Sequence, residues 1–199
     1  MTDTRTRDGH EGHRRFQQFR ADAGERVFEW PTCHPAGDTG FCPCHGSIIA
    51  NLGFLLKGTA IEIAMRLPFS GLKLRVLRAA GARIAGSVYI STDVWIDPLF
   101  PDLLTIEDNV IIGSGAKILM HTFDRDRFRA GRVVIRSGAV VGGFAVVAPG
   151  VEIGTEATVA VAAVVGRDVP PGFTAIGNPA RLIPMPRLDK EERQCPNSD

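Results

Sequence analysis

Histidine is scarce in this chain: five occur in 199 residues, and only His121 lies beyond residue 45. A metal centre needing three histidines is therefore excluded from the larger part of the sequence. Charge of one sign is also missing, since 23 basic and 22 acidic residues leave a formal net charge of +1. Bulk electrostatic attraction to nucleic acid or anionic membrane is not expected. Long apolar runs are absent. The most apolar segment, 48–65, is broken by Asn51, Lys57 and Glu62, short of the roughly 18 apolar residues of a spanning helix. The opening MTDTRTRDGHEGHRR is polar and charged, so no secretory signal is expected and a cytoplasmic protein is the default.

Composition divides the chain into an N-terminal extension (1–81), a region rich in Val, Ile, Ala and Gly (82–184) and a polar tail (185–199). Within the extension, 9–29 reads as a polar helix and 47–66 as an apolar one. GLKLRVLRAAGARI reads as a short helix feeding the next region. Ile48, Leu52, Leu55, Leu56, Ile63 and Met65 need cover. Protein packing is favoured over a membrane surface, although basic residues flank the segment.

The middle region has a period of six. Ile84, Ile90, Ile96; Ile106, Ile112, Ile118; and Ile135, Val141, Val147, Ile153, Val159, Val165 are all Ile or Val. Small residues recur four places on, as at Ala116, Ala139, Ala145, Ala157 and Ala163. A helix would space its apolar positions by three and four, and a hairpin sheet by two. A period of six fits short strands joined by tight turns, the hexapeptide pattern of a parallel β-helix. Three hexads make one triangular coil, so these residues predict about four coils. At the usual strand spacing the prism is roughly 20 Å tall.

The segment VVGGFAVVAPGVEIGTEATVAVAAVVGRDVPPGFTAIGNPARLI (140–183) resembles the C-terminal end of hexapeptide-repeat acyltransferases. It is most similar to the maltose, galactoside and colanic-acid O-acetyltransferase group. The resemblance covers about 82–184. It implies a left-handed β-helix, an acetyl-CoA or other acyl-CoA donor, a small-molecule acceptor and a homotrimer with each site between two subunits.

Two stretches break the period: DPLFPDLLT after Ile96, and MHTFDRDRFRAGRV after Leu119. Extra residues cannot enter a packed prism, and loops on rigid scaffolds commonly carry function. Acyl transfer to an alcohol needs a base near neutral pH, for which histidine is suited. The resemblance assigns that role to His121. It also assigns an oxyanion-stabilising backbone N–H to Gly143, two residues after the aliphatic Val141; the tryptophan that often precedes that aliphatic is replaced by Val140.

Asp97 and Asp102 are the acceptor-binding candidates, with Asp97 equally readable as a turn residue before Pro98; Asp93 and Asp124 are weaker. PDLL stands where relatives carry tryptophan and asparagine, which leaves the sugar preference open. Arg125, Arg127, Arg129 and Arg132 form either a solvated face or a grip for an acidic or phosphorylated acceptor. On the donor side the resemblance points to Ala145, Ala163, Arg167 and Arg181, the arginines meeting CoA phosphates. Gly177, Asn178 and Pro179 also read as a turn leaving the prism.

CHPAGDTGFCPCH (33–45) offers Cys33, Cys42, Cys44 and His45 as zinc ligands, but C-x-C is not the usual spacing. Reduced thiols or a redox pair are the alternatives, and no metal is assigned; Cys195 reads as incidental. Rivals on this fold include a γ-type carbonic anhydrase, which the single histidine opposes. A carrier-protein donor, N-acyl transfer and a non-catalytic scaffold remain open.

Overall fold

The computed structural model describes residues 4–22, 24–31, 48–124 and 127–185. Cys33, Cys42, Cys44, His45, Arg125 and Cys195 lie outside the described residues. The elements run α1 (Thr4–Ala21), β1 (Val27–Pro31), α2 (Ile48–Arg66) and α3 (Ser70–Ala79). Next come β2 (Arg83–Ile84), β3 (Val88–Ile90), β4 (Trp95–Ile96), a 3-10 turn (Pro101–Leu103), β5 (Leu104–Ile106), β6 (Val110–Ile112) and β7 (Lys117–Ile118). A hairpin of β8 (His121–Asp124) and β9 (Arg127–Gly131) follows. The chain then resumes as β10 (Val133–Ile135), β11 (Val140–Val141), β12 (Val146–Val147), β13 (Glu152–Ile153), β14 (Thr158–Val159) and β15 (Val164–Val165). It closes with β16 (Phe173–Ile176) and β17 (Arg181–Pro184).

The short strands wind into three faces. The first stacks β2, β5, β10 and β13; the second β3, β6, β11, β14 and β16, edged by β17; the third β4, β7, β12 and β15. All these pairings are parallel except β16 with β17. The register explains the period. Ile84 pairs with Ile106, Ile106 with Ile135 and Ile135 with Ile153 on the first face. Ile96–Ile118–Val147–Val165 is the equivalent ladder on the third. Of the twelve repeat aliphatics only Ile84, on the terminal turn, is part-exposed; the others are 0–1% exposed. Each buried side chain of this size is worth about 1.5–3 kcal/mol. No single turn of chain encloses such a core, so stacking creates it.

Tight corners between faces place one residue each in the left-handed region. Asp93, Gly115, Phe144 and Ala162 do so between the second and third faces; Asn109, Gly138 and Glu156 between the first and second. Inward corner positions must be small, which accounts for Ala116, Ala145 and Ala163, all wholly buried. The β16–β17 hairpin turns at Gly177, whose φ of 92° suits glycine.

At the opposite end α2 and α3 pack on the first turns. There the Lys73 ammonium, wholly buried, donates to the carbonyls of Ile90 and Ser91. Burial lowers its pKa, partly offset by Asp93. No described helix is long and apolar enough to cross a membrane.

The polar helix departs from its expected span of 9–29, ending at Ala21, after which 27–31 form a strand. The physical reason is a partner in space: β1 pairs antiparallel with β9 and completes a three-stranded sheet with the second interruption. That interruption is thus an ordered hairpin. Along α1, Gly12, Phe16 and Phe19 form a buried stripe at helical spacing. Phe16 and Phe19 join Phe28, Phe100 and Phe128 in one aromatic cluster.

Candidate active site

His121 begins β8 at the corner where the chain leaves the third face. Ile96 and Ile118 are register partners in adjacent turns, so the residue after Ile96 sits above the start of the hairpin. That residue is Asp97. Its N–H donates to Ile118 O at 3.1 Å, locking the stack. Asp97 is wholly buried. Its Oδ1 accepts from Leu99 N at 3.0 Å, an Asx turn, and Oδ2 accepts from Met120 N at 3.2 Å. Oδ2 also meets His121 Nδ1. The sequence therefore reads correctly that Asp97 is a turn residue, but the carboxylate faces His121 as well.

This pairing defines the imidazole chemically. A carboxylate only accepts, so Nδ1 carries the proton and points at Asp97. In its neutral form a ring held in this way presents an unprotonated Nε2, the form required of a base. Phe100 stands edge-on to the ring at 5.3 Å between centroids, Phe123 edge-on at 5.7 Å, and Phe128 tilted at 6.1 Å. With its side chain only 15% exposed, His121 is held in a small apolar collar with one accessible side. Phe123, 44% exposed, is the open part of that collar.

The other candidates are placed as follows. Asp102 is tied to Arg20 of α1 by two hydrogen bonds, 2.8 and 3.0 Å long. Arg127 and Arg129 face Glu29 of β1 at 3.8 and 3.6 Å. Arg132 grips the end of α1, donating to the carbonyls of Phe19, Arg20, Asp22 and Glu25 at 2.6–3.3 Å. Its pKa is lowered, first by burial and then by Arg83. A cation at a helix C-terminus also opposes the helix dipole favourably. These described arginines thus fasten the extension to the hairpin. Asp93 lies at a corner with φ 57°; Asp124, opposite Arg127 in the hairpin, is exposed.

Gly143 occupies the corner between the second and third faces, a different edge from His121 in the same chain. Among the described residues its N–H meets no acceptor, although its carbonyl takes the N–H of Ala162. A side chain there would reach Ser114 O at 3.0 Å. Next to it Phe144 is 68% exposed with φ 59°, an uncommon state for a bulky residue. The Phe144 ring overlies Gly115, where a Cβ would lie 2.6 Å from it.

Ala145 and Ala163 are wholly buried, with backbone N–H and C=O groups bonded within the prism. They are corner-filling residues, and the surface beside them is formed by Phe144, Val161 and Ala162. Arg167 and Arg181 come together. Both line a cavity of about 660 Å³ with Gly166, Ile176, Gly177, Asn178, Pro179 and Ala180.

Stacked three-faced parallel coils with a hairpin inserted at one corner are the fold of hexapeptide-repeat acetyltransferases, and the chain belongs to that family. No family profile matches the chain. Its relatives include YvoF of Bacillus subtilis (strain 168), which bears an acetyltransferase name. The two are 33% identical over 135 residues, covering 67% of this chain and 76% of YvoF. Among solved structures, a hexapeptide-repeat-containing acetyltransferase of Vibrio cholerae complexed with acetyl-CoA superposes with a TM-score of 0.59. It is 20% identical, over 70% of this chain and 91% of that one. A maltose O-acetyltransferase from Clostridium difficile 630 gives a TM-score of 0.55 at 16% identity, over 73% and 91%. At such identities these two structures speak to the fold.

Sequence reasoning did not find the Asp97–His121 pair or the phenylalanine collar. One signal was available: Asp97 follows the repeat aliphatic that stacks directly on Ile118.

Proposed function

We propose that this protein is an acyl-CoA-dependent O-acetyltransferase in which His121 is the general base and Asp97 positions it. The observation that carries the reading is the buried Asp97 carboxylate against His121 Nδ1. The donor assignment is supported by family membership and by the acetyl-CoA bound in the Vibrio cholerae neighbour. In the proposed reaction Nε2 takes the proton of the acceptor hydroxyl as its oxygen attacks the thioester carbonyl carbon. The Gly143 N–H donates to the resulting oxyanion. Collapse breaks the C–S bond, and the imidazolium returns the proton to the CoA thiolate.

His121 and Gly143 lie on different edges of one prism, so this scheme needs a second copy. We place the site between subunits of a homotrimer, with His121 from one copy and the Gly143 corner from its neighbour. Exposed apolar groups on that face and corner support the contact: Tyr89, Ile111, Phe144 and Val161 are 47–70% exposed. Arg167 and Arg181 would hold CoA phosphates. The acceptor is a small hydroxyl compound, such as a sugar, lying against Phe123. Asp102 holds Arg20 of α1, whose guanidinium lies over Phe100, the ring that stands against His121.

Acetyl-CoA titration by calorimetry, followed by thiol release with a panel of sugars, tests the reading. Binding near one site per subunit is expected for wild type and for His121→Ala alike. Turnover should fall by about 10²–10⁴-fold in His121→Ala. Retained turnover would remove His121 from the mechanism, and absent binding would remove the CoA donor.

A further inference from the structure

Helix α2 is apolar on two opposite sides, and the protein covers only one. Ile61, Ala64 and Met65 are buried against the neighbouring elements. On the opposite side Leu52, Leu55, Leu56 and Ile63, spaced as one helix face, are 55%, 61%, 64% and 56% exposed. Phe69 and Leu72, where α3 starts, extend the patch at 65% and 40%. Of the apolar α2 residues expected to need cover, Met65 is buried, while Leu52, Leu55, Leu56 and Ile63 are not.

The charges around this patch select its occupant. Lys57, Arg66 and Arg75 are exposed on α2 and α3, while the single acid between residues 48 and 80 is Glu62, 3.9 Å from Arg66. A second copy docked face to face about a two-fold axis would set these cations against their own equivalents, and the trimer contact proposed above uses Tyr89, Ile111, Phe144 and Val161 instead. An anionic bilayer instead accepts both features: leucines enter the acyl boundary and cations meet the headgroups. The helix is not long and apolar enough to cross such a membrane. Between this patch and its covered side, α2 touches the chain beside the candidate site. A Cβ at Gly58 of α2 would lie 3.5 Å from Pro98, the residue after Asp97.

We propose that the exposed α2–α3 face docks the protein on an anionic membrane surface. This does not rest on the reaction proposed above. The test is flotation of the full chain with phosphatidylglycerol–phosphatidylcholine vesicles and with pure phosphatidylcholine vesicles. Wild type should float with the anionic vesicles. Leu55→Ser with Leu56→Ser should weaken partitioning by about tenfold or more. Lys57→Glu with Arg66→Glu should remove the preference for anionic over neutral vesicles. Unchanged melting temperatures in both double variants would show that the fold is intact. The proposal is overturned if wild type stays unbound with anionic vesicles, or if the serine variant floats as wild type does. A change of oligomeric mass in the serine variant would also overturn it, by making the face a contact between copies.

Discussion

Replacing Asp97 by Asn keeps the shape of the buried side chain but removes its charge. Three donors now converge on the carboxylate: Leu99 N–H, Met120 N–H and the ring of His121. An amide has one oxygen, so its NH₂ must face either Leu99 or the Met120–His121 pair. Facing the pair, it forces Nδ1 to accept and moves the ring proton to Nε2, the wrong tautomer for a base. Facing Leu99, it leaves a neutral acceptor where a carboxylate had been. A hydrogen bond to a charged group contributes about 1.5–3 kcal/mol. At about 1.36 kcal/mol per decade of rate, that is roughly tenfold to 150-fold in kcat. The assay is thiol release under saturating donor and acceptor, with acetyl-CoA affinity by calorimetry and thermal melting alongside. The expected result is a lower kcat, an acetyl-CoA Kd within about twofold of wild type, and a shift or loss of the His121 Nδ1–H resonance. A folded Asp97→Asn protein with wild-type kcat would refute the positioning role.

Other consequences are equally direct. Gly131→Ala should be severely destabilising, because a Cβ there would lie 2.3 Å from Gly150 N and 2.6 Å from Gly150 Cα, whereas Gly166→Ala meets nothing within 4 Å; overpacking of this kind costs at least about 1–3 kcal/mol, and paired urea titrations read the difference. Arg132→Met should free the end of α1 from four carbonyl contacts, seen as faster amide exchange in α1 and β1 with the prism still protected. Glu107 has its pKa lowered first by hydrogen bonding to Arg136. The folded value thus lies below the unfolded one, so this contribution is present above the unfolded pKa of about 4.3 and disappears as pH falls through the folded value. Glu107→Gln should therefore differ from wild type in stability at neutral pH and converge with it in acid.

The prism was legible because its rule is one-dimensional. A residue at each sixth position faces inward whatever the rest of the chain does, so Ile96, Ile118, Val147 and Val165 announce their ladder by spacing alone. His121 was legible for a related reason, being the lone histidine where the period breaks. The N-terminal extension obeys no such rule. That 27–31 is a strand follows from pairing with β9, about a hundred residues away, and the polar pattern around it reads as helix continuation. The four-carbonyl grip of Arg132 likewise has no trace in the spacing of the arginines.

The sequence by itself determined the repeat, the two places where it is interrupted and the residue type able to act as a base. Only the tertiary structure decided what stands behind that histidine. Asp97 and His121 are far apart in sequence and meet because consecutive turns stack at one corner. Likewise, only folding showed that Ala145 and Ala163 face inward while Arg167 and Arg181 share a cavity. Period fixes which side of a strand is buried, since that is local geometry. Which corner residues touch depends on the lengths and folding of the inserted segments, and those are set by contacts between turns and with the extension.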